Sequence, residues 1–348
     1  MITVSVCMIV RDEEAVIRRC LSCVRSFADE IIVVDTGSKD QTASVCKEMG
    51  AKVYDLPWQD DFAAARNYAF SKAACDYQFW LDADDVISEA DQEKMKELKE
   101  TLDESVSVVM MRYEMQHAEH ESPVVFERER LLRKKDHFLW KGRVHESIEP
   151  SGKIMHSDIV IRHRKEKVND PQRNLRIFRK MKAAGDGFSP RDQFYYAREL
   201  YQHGQYDEAV MEYETFLNGH GWVEDQIQAC LDLGQCLMQL NHPDEAFSAW
   251  IRSFFYAPPA ARICNALGFW FLRDHRDEEA EYWFRQALHC MRRGGFEQED
   301  DHCFIPSLEL AILYYYRGQH SLARAWFEQA RHIHPQHPLI IRNQKWFS

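Results

Sequence analysis

Apolar and polar positions alternate in two different ways along this chain of 348 residues. Through the first 165 residues, short β-rich runs alternate with longer helical segments, which indicates a mostly parallel sheet covered by helices. The predicted strands are Thr3–Val10, Glu30–Asp35, Ala51–Asp55, Tyr77–Leu81, Val106–Arg112 and Phe126–Leu132. The predicted helices are Glu13–Phe27, Lys39–Met49, Phe62–Ala74 and Glu89–Leu102. Residues 138–165 are predicted to be irregular, although a later strand ends at His163.

From about residue 190 the pattern changes to pairs of helices that repeat with a period of about 34 residues. Each unit has an alanine, an aromatic residue four positions later and a small residue twelve positions earlier. The alanines are Ala209, Ala246, Ala280 and Ala323, the aromatics Tyr213, Trp250, Phe284 and Phe327, and the small residues Ala197, Gly234, Gly268 and Ala311. The small residues let the two helices of a unit cross closely, and the aromatic is expected to fill the gap to the next unit. The pattern resembles four tetratricopeptide repeats, with an ordinary helical bundle as the alternative.

Composition and charge narrow the class of protein. The chain is 45% hydrophobic and 29% charged, and its 56 acidic against 44 basic residues give a net charge of −12. No basic run stands out, so we expect no nucleic-acid partner. No segment has the roughly 18 apolar residues that a membrane span needs, and the first ten residues are predicted to be a strand rather than a signal peptide. Ten scattered cysteines are interpreted as reduced core thiols, which favours a cytoplasmic protein.

An acidic motif follows the predicted strand Tyr77–Leu81. Asp82, Asp84 and Asp85 come directly after apolar residues, and carboxylates placed in this way can hold a hard divalent cation. The alternative is a solvated acidic turn that caps the next helix. Asp35 also ends a predicted strand, and ligands of such sheets bind at the carboxyl ends of strands. The sequence therefore allows Asp35 and Asp82 to meet in one crevice.

The first half of the chain resembles family 2 glycosyltransferases of the GT-A fold. The resemblance rests on four segments in a fixed order: the opening strand and helix, "EIIVVDTGSKDQT" at 30–42, the "ARN" helix from 62, and the acidic motif ending at 85. "WKGRVHESIEP" at 140–150 further resembles a branch with lipooligosaccharide glucosyltransferases and bacteriocin-peptide glycosyltransferases. The resemblance implies a Rossmann-like α/β domain followed by an all-α tetratricopeptide-repeat domain.

What the resemblance implies for the site is specific to single residues. Nucleotide-binding roles fall on Arg11, Asp12, Glu13, Asp35, Arg66, Asp82 and Ala83. A Mn²⁺ or Mg²⁺ ion would be held by Asp82, Asp84 and His163, and Asp85 would orient water or cap the helix. Glu146 is the favoured catalytic base, with His145 as the alternative. Relatives often have an aromatic residue and asparagine where this chain has Arg11 and Asp12.

These observations predict a metal-dependent inverting glycosyltransferase that uses a UDP-sugar as donor. Its domains would be residues 1–165, a helical linker at 166–189 and the repeats at 190–348. The acceptor would be a peptide, a protein or a glycan, and the repeats would present it or form a homodimer. One alternative is a catalytically degenerate scaffold whose repeats bind a protein. A nucleotidyltransferase is disfavoured because "MIVRDEE" has no glycine-rich loop.

Overall fold

A computed structural model of the chain describes residues 1–115, 124–164, 166, 170–293 and 296–347. Residues 1–115 and 125–177 form one compact unit, and residues from 178 onward form a second. This division lies inside the predicted linker at 166–189, where one helix crosses it. The predicted domain bounds themselves stay predictions.

The first unit is built on a mixed sheet of eight strands within the described residues. The strands are β1 (Val4–Val10), β2 (Glu30–Asp35), β3 (Lys52–Asp55), β4 (Tyr77–Trp80), β5 (Asp85–Ile87), β6 (Val108–Met115), β7 (Val124–Arg133) and β8 (Ile154–His163). Their order across the sheet is β3-β2-β1-β4-β7-β6-β8-β5. The pairs among β1 to β4 are parallel, as is β6 with β8, while β7 runs antiparallel to β4 and β5 to β8. A mostly parallel α/β sheet is therefore confirmed.

Helices cover the sheet and position the side chains at its edge. They are α1 (Ile17–Val24), α2 (Thr42–Glu48), α3 (Phe62–Lys72), α4 (Glu89–Thr101) and α5 (Arg173–Ala184), the last of which crosses into the second unit. α3 begins after Asp61, whose carboxylate accepts a hydrogen bond from the N–H of Ala64. α4 begins after Ser88, whose hydroxyl accepts from the N–H of Asp91.

Alternating side chains of the strands fill two cores, one on each face of the sheet. Along β1, Val6 and Met8 point into one core, and Cys7 points into the other. Phe79 and Trp80 in β4 divide in the same way. A sheet that is buried on both faces explains why β1 is apolar along almost its whole length.

Two strands were not predicted with the bounds that the structure shows: β5 was not predicted as a strand, and only the end of β8 was predicted. The strand predicted to end at His163 is confirmed, but it begins at Ile154, inside the stretch 138–165 that was otherwise predicted to be irregular. Its polar residues stand in blocks and do not alternate with the apolar ones, and the strand pairs with β6 on one side and β5 on the other. Both partners lie far away in sequence, so a local pattern could not reveal the pairing.

The second unit consists of helix pairs. Its helices are α6 (Pro190–Gln202), α7 (Tyr206–Leu217), α8 (Val223–Gln239), α9 (Pro243–Arg252), α10 (Ala261–Arg273), α11 (Asp277–His289), α12 (Glu299–His302), α13 (Phe304–Tyr316), α14 (His320–Ile333) and α15 (Pro338–Phe347). The pairs α6–α7, α8–α9, α10–α11 and α13–α14 correspond to the four predicted repeats. The short helix α12 belongs to an insertion between the third and fourth pairs.

The repeated small residues have the predicted role in helix packing. A Cβ atom added to Gly234 would lie 2.1 Å from the indole nitrogen of Trp250, and one added to Gly268 would lie 2.7 Å from the ring of Phe284. Both contacts join the two helices of one unit, so these aromatics fill a gap within their own unit, not toward the next as the sequence suggested. Tyr213 does reach the next unit, where its hydroxyl donates to Asp232 Oδ2 at 3.0 Å.

Candidate active site

The carboxyl ends of β1 and β2 lie side by side and are joined by the loops that follow them. Asp35 is buried at the end of β2, and its Oδ1 accepts from the N–H groups of Gly37 at 2.8 Å and Ser38 at 2.7 Å. The Ser38 hydroxyl accepts from the N–H of Asp12 at 2.9 Å, and Asp12 Oδ1 accepts from that of Lys39 at 2.6 Å. Asp35 is therefore held rigidly at the edge where ligands of such sheets bind.

The loop after β1 contains three residues predicted to bind the nucleotide. Arg11 Nε lies 3.9 Å from Asp12 Oδ2, and the N–H of Glu13 donates to the Thr42 hydroxyl at 2.7 Å. Asp12 has a φ of 53° and the more distant His145 a φ of 52°, both in the left-handed region. Non-glycine residues in this region are uncommon and cluster at functional sites. The backbone is thus unusual at two of the predicted site residues.

Arg66 in α3 joins a second group of predicted site residues. Its Nη2 donates to Asp82 Oδ1 at 2.7 Å, and its Nε donates to Glu146 Oε1 at 2.6 Å. The guanidinium also lies over the rings of Trp140 and Trp80, with centroids 4.8 Å and 5.2 Å away. One buried arginine therefore connects the acidic motif with the loop that carries the candidate base.

The charges in this group stabilise one another. Burial works to raise the pKa of Asp82, but the positive charges of Arg66 and Arg130 outweigh it and lower that pKa to about 2. Burial also works to lower the pKa of Arg66, but the carboxylates of Asp82 and Glu146 outweigh it and raise that pKa. At neutral pH the site therefore contains a charged arginine beside ionised Asp82.

α3 also anchors the loop that carries Glu146. The side-chain amide of Asn67 donates to the Trp140 carbonyl at 3.0 Å and accepts from the Trp140 N–H at 2.9 Å. The N–H of Phe62 donates to the Arg143 carbonyl at 2.9 Å. The "ARN" sequence of this helix thus supplies both Arg66 and the residue that fixes the loop.

β5 and β8 bring a histidine next to the acidic motif. Asp85 and His163 are direct partners across this antiparallel pair, so their side chains share a face of the sheet. His163 Nδ1 lies 3.3 Å from Asp84 Oδ1 and 3.5 Å from Asp85 Oδ1. Hydrogen bonds to Asp84 and Asp85 raise the pKa of His163 to about 10. The edge strands thereby assemble residues that are far apart in sequence.

This cluster fits a divalent cation. One ligand atom from each of Asp84, Asp85 and His163 lies within 4.8 Å of the other two. Carboxylate oxygens suit Mg²⁺ and Mn²⁺, which take further ligands from water and phosphate. The cluster contains the predicted ligands Asp84 and His163, whereas the third, Asp82, has its Oδ1 on Arg66. Asp85 does not cap α4, because Ser88 does.

Two residues that the sequence reasoning missed hold Asp85 from behind. Arg130 Nη1 donates to Asp85 Oδ2 at 3.1 Å, and the Tyr113 hydroxyl donates to Asp85 Oδ1 at 2.9 Å. The side chains of Arg130 and Asp85 both have 0% exposure. A signal was present in the sequence: Arg130 precedes two leucines in a predicted strand, and an arginine buried there needs an anionic partner.

The predicted residues thus fall into three neighbouring groups. The first is the β1–β2 edge with Arg11, Asp12, Glu13 and Asp35. The second is Arg66 with Asp82 and Glu146, and the third is Asp84, Asp85 and His163. Ala83 is buried between the last two groups, and His145 precedes Glu146 in its loop.

Residues 5–163 match the family model described as glycosyl transferase family 2. This match covers most of the first unit of the chain. Its motifs and its sheet agree with the GT-A fold, and the helix pairs that follow resemble tetratricopeptide repeats. In the described part of the chain, no helix is both long enough and apolar enough to cross a bilayer.

Three curated relatives are similar to parts of the chain. A TPR repeat-containing protein of Synechococcus elongatus is 40% identical over 43% of this chain and 36% of its own length. The SPbeta prophage-derived glycosyltransferase SunS of Bacillus subtilis is 25% identical over 69% of this chain and 60% of its own. An uncharacterized glycosyltransferase of Rickettsia typhi is 34% identical over 27% of this chain and 32% of its own. The chain therefore spans between 32% and 60% of the length of these relatives.

Proposed function

We propose that this protein is a metal-dependent inverting glycosyltransferase that transfers a hexose from a UDP-sugar to a peptide, protein or glycan acceptor. The observation that carries the proposal is the meeting of two groups at the sheet edge. Arg66 joins Asp82 to Glu146, and the adjacent Asp84 clusters with Asp85 and His163. The family 2 domain supports this class of reaction.

The donor would lie along the edge formed by β1, β2 and β4. We assign Asp35 to accept from uracil N3–H through Oδ2, because Oδ1 accepts from two backbone N–H groups. Arg11, Asp12 and Glu13 would line the same part of the edge. Asp82 and Ala83 would contact the ribose, and Arg66 would contact the diphosphate as a planar cation.

The diphosphate leaves with negative charge, which the site must balance. When bound, Mn²⁺ or Mg²⁺ would supply positive charge to the leaving diphosphate oxygens. Asp84, Asp85 and His163 would hold the ion. The buried contacts of Asp85 with Arg130 and Tyr113 would keep its carboxylate in place.

Glu146 would act as the base. As the acceptor oxygen or sulfur bonds to the anomeric carbon, the bond from that carbon to the diphosphate breaks and UDP leaves. The acceptor proton moves to Glu146 Oε2, while Arg66 holds Oε1 and fixes the orientation of the carboxylate. His145 is the alternative base in the same loop. The assignment of Glu146 rather than His145 as the base stays a prediction.

The acceptor class and the compartment are inferred from the repeats and from the cysteines. A peptide or protein acceptor fits a chain that ends in tetratricopeptide repeats, since such arrays bind partners, but a homodimer through the repeats would use them equally well. The cytoplasmic location predicted from the scattered cysteines also stays a prediction.

The test is hydrolysis of a panel of UDP-sugars by the full chain without acceptor, in Mn²⁺, Mg²⁺ or EDTA. Slow release of UDP from one donor, abolished by EDTA, is the expected result and would also identify the sugar. No release from any donor, together with no thermal shift by UDP and Mn²⁺, would overturn the proposal in favour of the scaffold alternative.

A further inference from the structure

Two cysteine thiols of the third helix pair contact each other. Cys264 lies in the first turn of α10, and Cys290 directly follows the last residue of α11. Their Sγ atoms are 3.7 Å apart, although the residues are separated by 26 positions of sequence. Both residues are free thiols in this structure. The fold therefore brings two reduced sulfurs into contact where α10 begins and α11 ends.

The two thiols differ in their access to solvent. Cys264 is fully buried in a small apolar cluster with Ala261 and Ala287. Cys290 packs against the same cluster together with Trp283, but both of these residues are only partly buried. Cys290 is therefore the member of the pair that a small solute can approach from solution.

The contact between the sulfurs also makes them chemically unequal. A hydrogen bond from the Cys264 thiol to the Cys290 sulfur lowers the pKa of Cys290, against the opposing effect of its burial. The same hydrogen bond, together with burial, raises the pKa of Cys264. The thiolate and not the thiol is the nucleophile in reactions of cysteine. Cys290 is therefore the more reactive of the two sulfurs, and Cys264 stays protonated beside it.

The position of Cys290 allows the two sulfurs to come closer. A disulfide holds its sulfurs about 2.05 Å apart, so the present distance would have to shorten by roughly 1.7 Å. Cys290 has already left the helix, with a φ of −60° and a ψ of 142°. When protonated, its sulfur donates only to the Gln286 carbonyl oxygen of the preceding turn, at 3.3 Å. A rotation of the Cys290 side chain can therefore close the gap while Cys264 stays fixed in α10.

We propose that Cys264 and Cys290 form a redox modification site, at which a hydroperoxide converts the two thiols into an intramolecular disulfide. The Cys290 thiolate attacks a peroxide oxygen, the O–O bond breaks, and the other oxygen leaves with a proton as water or an alcohol. Cys290 is then a sulfenic acid. The Cys264 sulfur attacks the Cys290 sulfur, so that an S–S bond forms, the S–O bond breaks, and the hydroxyl leaves with the Cys264 proton as water. The sulfurs lose two electrons in total, and the peroxide gains them.

The disulfide joins the first turn of α10 to the point where the chain leaves α11. It therefore closes a covalent loop around the third helix pair, which restricts the unfolded chain and not only the folded one. In compartments that keep thiols reduced, disulfides are usually transient and respond to oxidants. The proposed site is thus compatible with cysteines that are reduced under ordinary conditions.

The experiment treats the reduced full chain with equimolar hydrogen peroxide at neutral pH and then blocks the remaining thiols under denaturing conditions. Peptide mapping by mass spectrometry follows each cysteine over time. We expect a cross-linked peptide that contains Cys264 and Cys290 and is separated again by dithiothreitol. The Cys290 thiol should disappear at least about tenfold faster than the Cys303 thiol, because thiolate character controls the reaction.

Cys303→Ser is the matched control. Cys303 is also a partly buried cysteine of the second unit, but its thiol donates to the Glu299 carbonyl oxygen at 3.0 Å and burial raises its pKa. This variant should form the cross-link at the rate of the wild type. In Cys264→Ser, the serine hydroxyl can still donate to Cys290 but cannot form the disulfide, so the sulfenic acid of Cys290 should accumulate and react with dimedone.

The absence of a cross-link between Cys264 and Cys290 in the oxidised wild type would overturn the proposal. So would a Cys290 thiol that reacts no faster than Cys303, or a cross-link of either cysteine to a second copy of the chain. The mapping of the wild type needs no substitution, so it decides the question even where Cys264→Ser does not fold. No donor sugar is present, so the outcome is independent of the proposed glycosyl transfer.

Discussion

Buried charge is arranged in opposite ways in the two units of this chain. In the first unit, Asp82 and Glu146 share the guanidinium of Arg66, and the positive charges around Asp82 overcome its burial and lower its pKa to about 2. In the second unit, Asp225 is 3% exposed and its Oδ1 has no partner within the described residues. Burial raises the pKa of Asp225 to about 6, against the smaller opposing effects of Arg191 and Arg198.

The two units therefore differ in how their buried charges are balanced. The candidate active site supplies its own countercharges and holds them in fixed geometry, which suits stabilisation of charge that develops during a reaction. In the second unit, the burial of Asp225 outweighs the effect of the arginines near it, so its ionised form is not fully compensated. The following substitutions test whether the two units really differ in this way.

The largest effect is expected from Asp84→Ala. It removes one of three clustered ligands, so UDP-sugar hydrolysis should fall by at least about 10³-fold while the melting temperature changes little. Asp158→Ala is the matched control, because this aspartate is 68% exposed and pairs only with Lys94 among the described residues. Full activity in Asp84→Ala would remove the metal role from the first unit.

The next largest effect is expected from Glu146→Gln. The amide cannot take the acceptor proton, so kcat for transfer should fall by about 10²-fold to 10³-fold. UDP affinity, measured by calorimetry with Mn²⁺, should be retained because Asp82 still pairs with Arg66. The matched variant His145→Gln should keep most of the activity. Normal transfer by Glu146→Gln with a loss in His145→Gln would reverse the assignment of the base.

Gly234→Ala tests whether helix packing rather than charge stabilises the repeats. Its Cβ would lie 2.1 Å from the Trp250 indole nitrogen, so the free energy of unfolding should fall by about 2–3 kcal/mol in urea titration. Gly187→Ala is the control, because a Cβ there would meet nothing within 4 Å. Equal stability of the two variants would contradict the close crossing of α8 and α9.

Asp225→Asn should have the smallest effect and the opposite sign. The folded state holds the Asp225 proton up to a pKa of about 6 and the unfolded chain only to 3.8, so stability falls as pH rises through that window. Asparagine removes this loss and should stabilise the protein by about 1–2 kcal/mol at pH 7. Thermal melts at pH 7 and below pH 3.8 check the sign, since the gain should vanish at the lower pH. Destabilisation at pH 7 would show that Asp225 is compensated after all.

The sequence was most informative where the decisive interactions are local. Strand β2 was predicted with the bounds that it has, because four consecutive apolar residues stand between Glu30 and Asp35. The alanines of the repeats were found because the two helices of a unit are close in sequence, and all four are fully buried. The strand that ends at His163 was predicted, but its start at Ile154 was missed because its pairing partners are distant in sequence.

The candidate site was predicted residue by residue but not as an arrangement. Arg66 and Glu146 were each named from motifs, while the hydrogen bond between them spans 80 positions and no local pattern contains it. Asp85 was expected to orient water or to cap the next helix. Its burial against Arg130 depends on the pairing of β7 with β4, which no local sequence pattern reveals. The central place of Arg66 and Asp85 in the site follows from distances in the folded chain and not from their residue types.

Residue types and short-range periods by themselves determined the α/β unit, the acidic motif at a strand end and the helix pairs, because strands, turns and repeated helices depend on neighbours in sequence. Only the tertiary structure decided that Arg66 joins two carboxylates, that Asp85 enters the metal cluster, and that Phe296 reaches Arg198 across 98 positions. Such contacts cost chain entropy that the rest of the fold has to offset, so they exist only once the whole unit is assembled.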